Sequence, residues 1–252
     1  MTMYAVLVVY NKPLALSSSF QSALKEPDVQ LLVVDNSTDE SLSNQEEARQ
    51  AGAWFLSMDG NRGLSRAYNA AFDYLKTKAG DWVVLLDDDT TVPAAYWKQL
   101  RQQNPDAVLL PVVRTSEGRM ISPAEMRHDI PHPAHSWDSI EHITGINSGM
   151  AIPKQVADSY RYDERLFLDF IDHQFLKDMR ETGHRIRVLP ADLKQDFSAE
   201  RPDRATCRQR LRIQKKDLAV YYGRRSWKAC FLIMKRKLRL AYQVRSLDVL
   251  WW

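Results

Sequence analysis

The first 112 residues alternate between short, continuously apolar runs and longer stretches whose apolar positions recur every three or four residues. The runs at 4–10, 29–34, 53–57, 82–86 and 107–112 read as strands, most of them buried on both faces. Between them, 14–25, 41–51, 64–78 and 93–103 read as helices. The third shows the period best, with Leu64, Ala67, Ala71, Tyr74 and Leu75 on one stripe. Pro13, Pro27 and Pro93 punctuate helix ends, and Gly52 closes the second helix. Strands separated by helices at this spacing predict an α/β fold with a doubly wound, mostly parallel sheet.

After Arg114 the alternation breaks. Residues 122–143 read as loop, with Pro123, Pro131 and Pro133 interrupting any period. A strand is predicted at 148–152, a helix at 170–182 and a strand at 185–189. From Thr206 to the end the chain is helical in period, with a break near Gly223. The expected division is an α/β body over 1–200, with a change of pattern near 112, and a helical tail over 201–252.

Charge sharpens that division. The net charge of +3 is the sum of a tail carrying 15 Lys and Arg against three Asp and a body at about −9. Trp227, Phe231, Met234, Leu238 and Tyr242 fall on one helical face of the tail, flanked by Lys228, Lys235, Arg236, Lys237 and Arg239. Such a helix suits an anionic membrane surface; packing on the body is the competing reading. Trp251 and Trp252 would suit the same interface. No apolar run approaches the ~20 residues of a membrane span, and the start lacks a secretory signal. Cys207 and Cys230 form no CxxC, so reduced thiols are expected. On these features the expectation is a cytoplasmic protein, peripheral on the inner membrane face.

The chemistry concentrates at Asp87-Asp88-Asp89, directly after the apolar run 82–86. A parallel strand delivers these carboxylates to its C-terminal end, where open α/β sheets bind ligands. Three adjacent carboxylates repel one another unless a positive charge sits among them. A hard divalent cation, Mg²⁺ or Mn²⁺, is the natural counter-charge and could hold a diphosphate. Tyr10-Asn11, Asp35-Asn36 and Asn61-Arg62-Gly63 end or follow other strands on the same edge, and together they outline one crevice.

These segments, in this order and with Asn69, resemble glycosyltransferase family 2 with the GT-A fold. Asn147-Ser148-Gly149 and Phe167-Leu168-Asp169-Phe170-Ile171-Asp172 fit its rhamnosyltransferase-like branch. The resemblance spans roughly residues 4–198 and leaves the basic tail outside. It implies an inverting, metal-dependent transfer from a UDP- or dTDP-linked sugar to a hydroxyl of a glycan, lipid-linked in the preferred case, in bacterial surface polysaccharide synthesis. On that resemblance Asp35 would read the base, with Tyr10, Asn11 and Asn36 beside the nucleoside. Asn61, Arg62, Gly63, Arg66 and Asn69 would line the donor phosphates and sugar. Asp87 and Asp88 would contact ribose and sugar, Asp89 and Asp87 the metal. Asn147, Ser148 and Gly149 would face the acceptor. The family's further metal ligand, often His, falls in Lys194-Gln195-Asp196-Phe197, which leaves Asp196 as the substitute. Asp172 keeps the carboxylate of the base, with Asp169 its rival.

Other readings compete. Asp87-Asp88-Asp89-Thr90-Thr91 also matches the DxDxT of haloacid-dehalogenase-like phosphatases, with Asp87 as nucleophile and Asp89 as acid/base; that motif belongs on a first strand, whereas three βα units precede it here. A catalytically silent nucleotide-sugar or nucleic-acid binder is the non-enzymatic alternative. Nucleic acid does not explain the crevice, and is not expected as a partner. His128, His132, His135 and His142 lack zinc spacing and fall where acceptor loops would lie.

Overall fold

A computed structural model describes residues 1–134, 136–137, 142–196 and 204–251. The first half follows the predicted alternation: β1 (Met3–Val9), α1 (Ser18–Ala23), β2 (Val29–Asp35), α2 (Asn44–Gln50), β3 (Trp54–Ser57), α3 (Leu64–Leu75) and β4 (Trp82–Leu86). β1 lies between parallel β2 and β4, and β3 pairs parallel to β2 on the outside. Next come β5 (Thr90–Thr91), α4 (Ala94–Leu100), β6 (Ala107–Thr115), β7 (Met120–Ser122), β8 (Ala124–Arg127), β9 (Ile130–Pro133) and β10 (Ile143–Thr144). The chain closes with β11 (Ala151–Pro153), α5 (Lys154–Ser159), α6 (Ile171–Glu181), β12 (Arg185–Gln195), α7 (Arg204–Tyr222) and α8 (Trp227–Val244). The described residues form a nine-stranded sheet, ordered β3-β2-β1-β4-β11-β6-β12-β5 with β7 beside β6, and a three-stranded sheet, β10-β8-β9.

The apolar runs are continuous because both faces of the large sheet are covered. Met3, Ala5, Leu7 and Val9 of β1 point into a core shared with Phe20, Ala48, Tyr96 and Trp97, from α1, α2 and α4. Tyr4 and Val6 point the other way, onto Tyr68 and Phe72 of α3 and Phe175 and Leu176 of α6. All five residues of β4 are fully buried. Each large side chain so placed contributes about 1.5–3 kcal/mol of hydrophobic stabilisation.

Several expectations need correction. The helix predicted at 14–25 is a 3₁₀ turn at Leu14–Leu16 followed by a six-residue α1. The break frees Ser17, whose hydroxyl caps Phe20 N and donates to Asp88 O at 2.9 Å. Residues 122–143 are not simply loop: β8 and β9 form a hairpin that turns at His128 and Asp129, both at positive φ, and β10 pairs with β8. Pro131 and Pro133 fit there because β9 is an edge strand, free of ladder donors on one side. The strand predicted at 185–189 runs on to Gln195, past a register shift between Leu189 and Asp192, to reach β5. β11 is antiparallel to both neighbours, an exception within the parallel majority.

Gly149 marks where β11 is fixed beside β4. It sits at φ 75°, donates to Leu85 O at 2.8 Å, and a Cβ there would lie 2.4 Å from Leu193 Cδ2. Gly149→Ala combines left-handed strain with overpacking and should cost roughly 2–4 kcal/mol, read as a lower midpoint of urea unfolding.

Candidate active site

The C-terminal ends of β1, β2 and β4 open onto a cleft of about 950 Å³. Its floor is the acidic turn after β4. Asp87 accepts a hydrogen bond from Ser148 Oγ, and Gln195 Nε2 reaches Asp89 Oδ1 at 2.9 Å and Asp87 Oδ2 at 3.4 Å. Lys12 Nζ pairs with Asp88 Oδ1 at 3.0 Å. The backbone of the turn is held from behind by Ser19, whose hydroxyl donates to Thr90 O at 2.6 Å and to Asp87 O.

Burial dominates the electrostatics. It pushes the Asp87 carboxyl up to about 7, partly opposed by the Ser148 hydrogen bond, with Asp89, Asp172 and Asp88 adding repulsion. Burial also raises Asp89, opposed by Gln195, and raises Asp172, opposed by His173. Asp172 of α6 lines the same cleft as the β4 turn, close enough for its charge to repel that of Asp87. Behind them the Tyr68 and Tyr162 hydroxyls are buried without partners.

Ten predicted site residues line the cleft: Tyr10, Asn11, Asn36, Asn61, Gly63, the three aspartates 87–89, Asn147 and Asp172. Their loops are cross-tied. Asn11 Oδ1 accepts Thr38 N at 2.8 Å and Asp39 N at 3.1 Å; Asn36 donates to Asn61 Oδ1 at 3.1 Å and accepts Arg62 N at 2.8 Å. Gly63 is required because a Cβ would meet Phe167 O at 2.8 Å. Tyr10 is 45% exposed, leaving its ring open at the rim.

Other predicted residues do not line the cleft. Asp35 accepts Ser37 N at 2.9 Å and Asn44 Nδ2 at 3.1 Å, so it builds the turn after β2. Arg62 donates to Met58 O at 3.2 Å, and Arg66 pairs with Glu164 at 3.1 Å. Asn69 is buried, its amide bound to Tyr162 O at 3.0 Å and Tyr162 N at 2.8 Å; it ties α3 to the chain before α6. Ser148 is buried and acts through Asp87, while Gly149 gives its carbonyl to Tyr96. Asp196 is exposed and its backbone N–H donates to Asp89 O at 3.0 Å. His128 and His132 lie on the β8–β9 hairpin, His142 just before β10, and His135 outside the described residues, as do Phe197 and Trp252.

Residues without a local signal complete the site. Lys12 follows β1 by three positions. Gln195 enters because Gln195 and Lys194 pair with Thr90 and Thr91, which sets β12 against the acidic turn. Thr206, Gln209, Arg210 and Ile213 of α7 form one wall. Among the described residues, no three His, Cys, Asp or Glu side chains converge as a metal cage. The donor set still fits Mg²⁺ or Mn²⁺: Asp87 and Asp89 offer hard oxygens, and Gln195 Oε1 is a buried acceptor with no partner among the described residues. Mg²⁺ is commonly held by one or two carboxylates together with substrate phosphates.

Known proteins share this architecture. Residues 4–143 match the family described as glycosyl transferase family 2. The dTDP-rhamnosyl transferase RfbF of Shigella flexneri is 24% identical over 201 residues, covering 76% of this chain and 67% of that protein. S. aureus TarS 1–349 in complex with UDP-GlcNAc superimposes with a TM-score of 0.60 at 16% identity, over 97% of this chain and 72% of that one. A longer TarS chain gives a TM-score of 0.56 at 17% identity; this chain spans 44% of its length. At these identities the likeness to TarS is one of fold, the GT-A type.

Raised carboxyls make the metal-free protein bind more protons folded than unfolded between about pH 4, where ordinary Asp titrates, and about pH 7 for Asp87. Stability should therefore fall as pH rises through that window. Asp87→Asn should raise the thermal midpoint at pH 8 by several degrees, a gain fading toward pH 4. A scan of melting against pH with chelator present checks both.

Proposed function

The chain belongs to glycosyl transferase family 2, and on that premise we propose that it transfers a sugar, with inversion, from a nucleotide diphosphate sugar to a glycan hydroxyl. The supporting observation is that the β4 carboxylates and the α6 carboxylate share one desolvated pocket. One group set faces a departing diphosphate, the other an incoming hydroxyl. Tyr10 and Asn11 stand at the nucleoside end, and Asn36 and Asn61 shape the wall between. RfbF, a dTDP-rhamnosyl transferase, suggests a dTDP-linked deoxysugar; TarS, solved with UDP and UDP-GlcNAc, makes a UDP-linked donor the second choice.

Asp172 acts as general base. Burial raises its proton affinity, which makes it the stronger base toward the acceptor hydroxyl. The acceptor oxygen attacks the anomeric carbon from the side opposite the nucleotide. The bond to the diphosphate oxygen breaks and its electron pair leaves with the nucleotide. Bound by Asp89 and Asp87, with Gln195 Oε1 or Asp196 as further oxygen, Mg²⁺ or Mn²⁺ would offset the charge building on the diphosphate. Lys12 contributes a fixed positive charge to the same end through Asp88.

The α8 stripe supports a place for the reaction. Trp227, Phe231, Met234, Leu238 and Tyr242 are all exposed, Trp227 at 67% and Tyr242 at 87%, and Trp251 beyond them at 91%. No helix among the described residues is long and apolar enough to cross a membrane. An exposed apolar stripe edged by Lys235, Arg236, Lys237 and Arg239 would instead lie on an anionic lipid surface. Docking there would bring the cleft to a lipid-linked acceptor on the cytoplasmic face.

Two experiments test this reading. In a transfer assay with dTDP-rhamnose or UDP-GlcNAc, exhaustive chelation should abolish turnover and Mn²⁺ restore it. In the same assay Asp172→Asn should lower turnover ~10²–10⁴-fold while nucleotide affinity holds. Full activity after chelation sinks the metal; a fully active Asp172→Asn with a dead Asp169→Asn moves the base to Asp169.

Vesicle sedimentation tests the surface. Each Lys or Arg near an anionic bilayer contributes about 1 kcal/mol, so binding should follow anionic lipid content and weaken with salt. Lys235, Arg236 and Lys237 changed to Glu should release the protein. Equal binding to neutral vesicles would leave charge without a role.

A further inference from the structure

The loop that delivers Asp172 is fastened to a helix outside the span matched by the family. Asp217 of α7 is completely buried, and it is the acceptor for three successive backbone N–H groups: Phe167 at 2.8 Å on Oδ1, Leu168 at 2.9 Å and Asp169 at 2.8 Å on Oδ2. Two turns earlier, Arg210 grips the Asp169 carboxylate with both terminal nitrogens. Phe170 packs against Tyr221 and Tyr222, with ring centroids 4.9 and 5.6 Å apart. The opposite side of the same loop is held by α3, through Leu64 N on Phe167 O at 2.7 Å. Phe170 then takes φ 66° and α6 begins, with Asp172 in its first turn. Every residue from 167 to 170 is thus bound to α7.

The same helix presents a second feature. Thr206, Gln209, Arg210 and Ile213 stand at i, i+3, i+4 and i+7, one face of α7, and all four line the cleft beside Leu168, Asp169 and Asp172. This side of the cleft is opposite in the chain to the nucleotide-facing ends of β1 and β2. Gln209 is exposed and can both donate and accept, as recognition of a sugar hydroxyl demands. Ile213 offers an apolar surface to the face of a sugar ring.

We propose that α7 is an active-site element: Asp217 is a positioning residue for the loop carrying Asp172, and the Gln209–Ile213 face is the wall that contacts a polyhydroxylated glycan acceptor. This rests on the glycosyltransferase reading for the ligand's class, but the clamp stands on geometry alone. A carboxylate offers enough lone pairs for three N–H groups, whereas an amide offers one oxygen and turns an NH₂ toward donors. Asp217→Asn therefore loosens the loop without emptying the core.

Hydrogen exchange on the full chain decides the clamp. Asp217→Asn should speed exchange of the 167–169 amides at least tenfold while β1 and β4 keep their protection. Unchanged exchange at 167–169 in a folded Asp217→Asn, or in Arg210→Gln where Asp217→Asn loses protection throughout the sheet, overturns it. Arg210→Gln, which leaves the buried carboxylate in place, should give a smaller effect confined to the same amides, and serves if Asp217→Asn does not fold. For the wall, transfer to a panel of octyl glycosides is measured with dTDP-rhamnose or UDP-GlcNAc. Gln209→Ala should raise the acceptor KM at least fivefold with the affinity for UDP or dTDP unchanged, whereas Asp217→Asn should lower kcat at least tenfold with the same affinity. An unchanged acceptor KM in Gln209→Ala overturns the wall. Wild-type protein that binds neither nucleotide sinks the glycosyltransferase reading instead, and the exchange result still decides the clamp.

Discussion

Three consecutive carboxylates at the buried end of β4 set the terms for everything around them. Desolvation and the repulsion of neighbouring carboxylates make the charged forms of Asp87 and Asp89 costly. The surrounding chain is arranged to limit that cost. Ser148 and Gln195 donate to the carboxylates, Lys12 pairs with the middle one, and Ser17 and Ser19 hold the carbonyls. These partners come from the 3₁₀ segment and α1, the approach to β11 and the far end of β12. The acidic turn therefore draws together parts of the chain more than 100 residues apart. The break in the predicted first helix and the extension of β12 follow from this requirement.

The division of labour in the cleft follows from topology. Parallel β1, β2 and β4 aim their loops the same way, so nucleotide-facing groups arrive from consecutive βα turns. The base arrives from a different direction, at the start of α6, after a loop that carries no regular structure of its own. Such a loop needs external support. Asn69 supplies it from α3 and Asp217 from α7, each by taking up backbone groups that would otherwise be buried unpaired.

What could be read in the sequence was what repeats locally. Five apolar runs gave the parallel strands because burial on both faces leaves no polar interruption. The strand-end residues could be gathered into one crevice because parallel strands share an edge. Asp172 was found through a family pattern. Partners that meet only through pairing were out of reach. Gln195 differs from any other glutamine only because β12 pairs with β5. Asp217 is one acidic residue in a basic segment, and nothing local marks it as a partner of residues 167–169. The tie between Asn69 and Tyr162 likewise forms only in the fold. The short strands β7 to β10 escaped because two- to four-residue pairings carry too little alternation to register.

The antiparallel β11 has a bearing on how the chain is assembled. It lies between β4 and β6, yet residues 151–153 follow β6 by more than 35 positions. Without that segment β4 has a partner on one side only, and β6 has no link to the sheet begun by β1. A nascent chain stopped short of β11 would expose a fully apolar strand edge. The two parts of the sheet are joined at its middle by one of its shortest strands, so the two halves of the cleft keep their relative placement only while three residues stay paired on both sides.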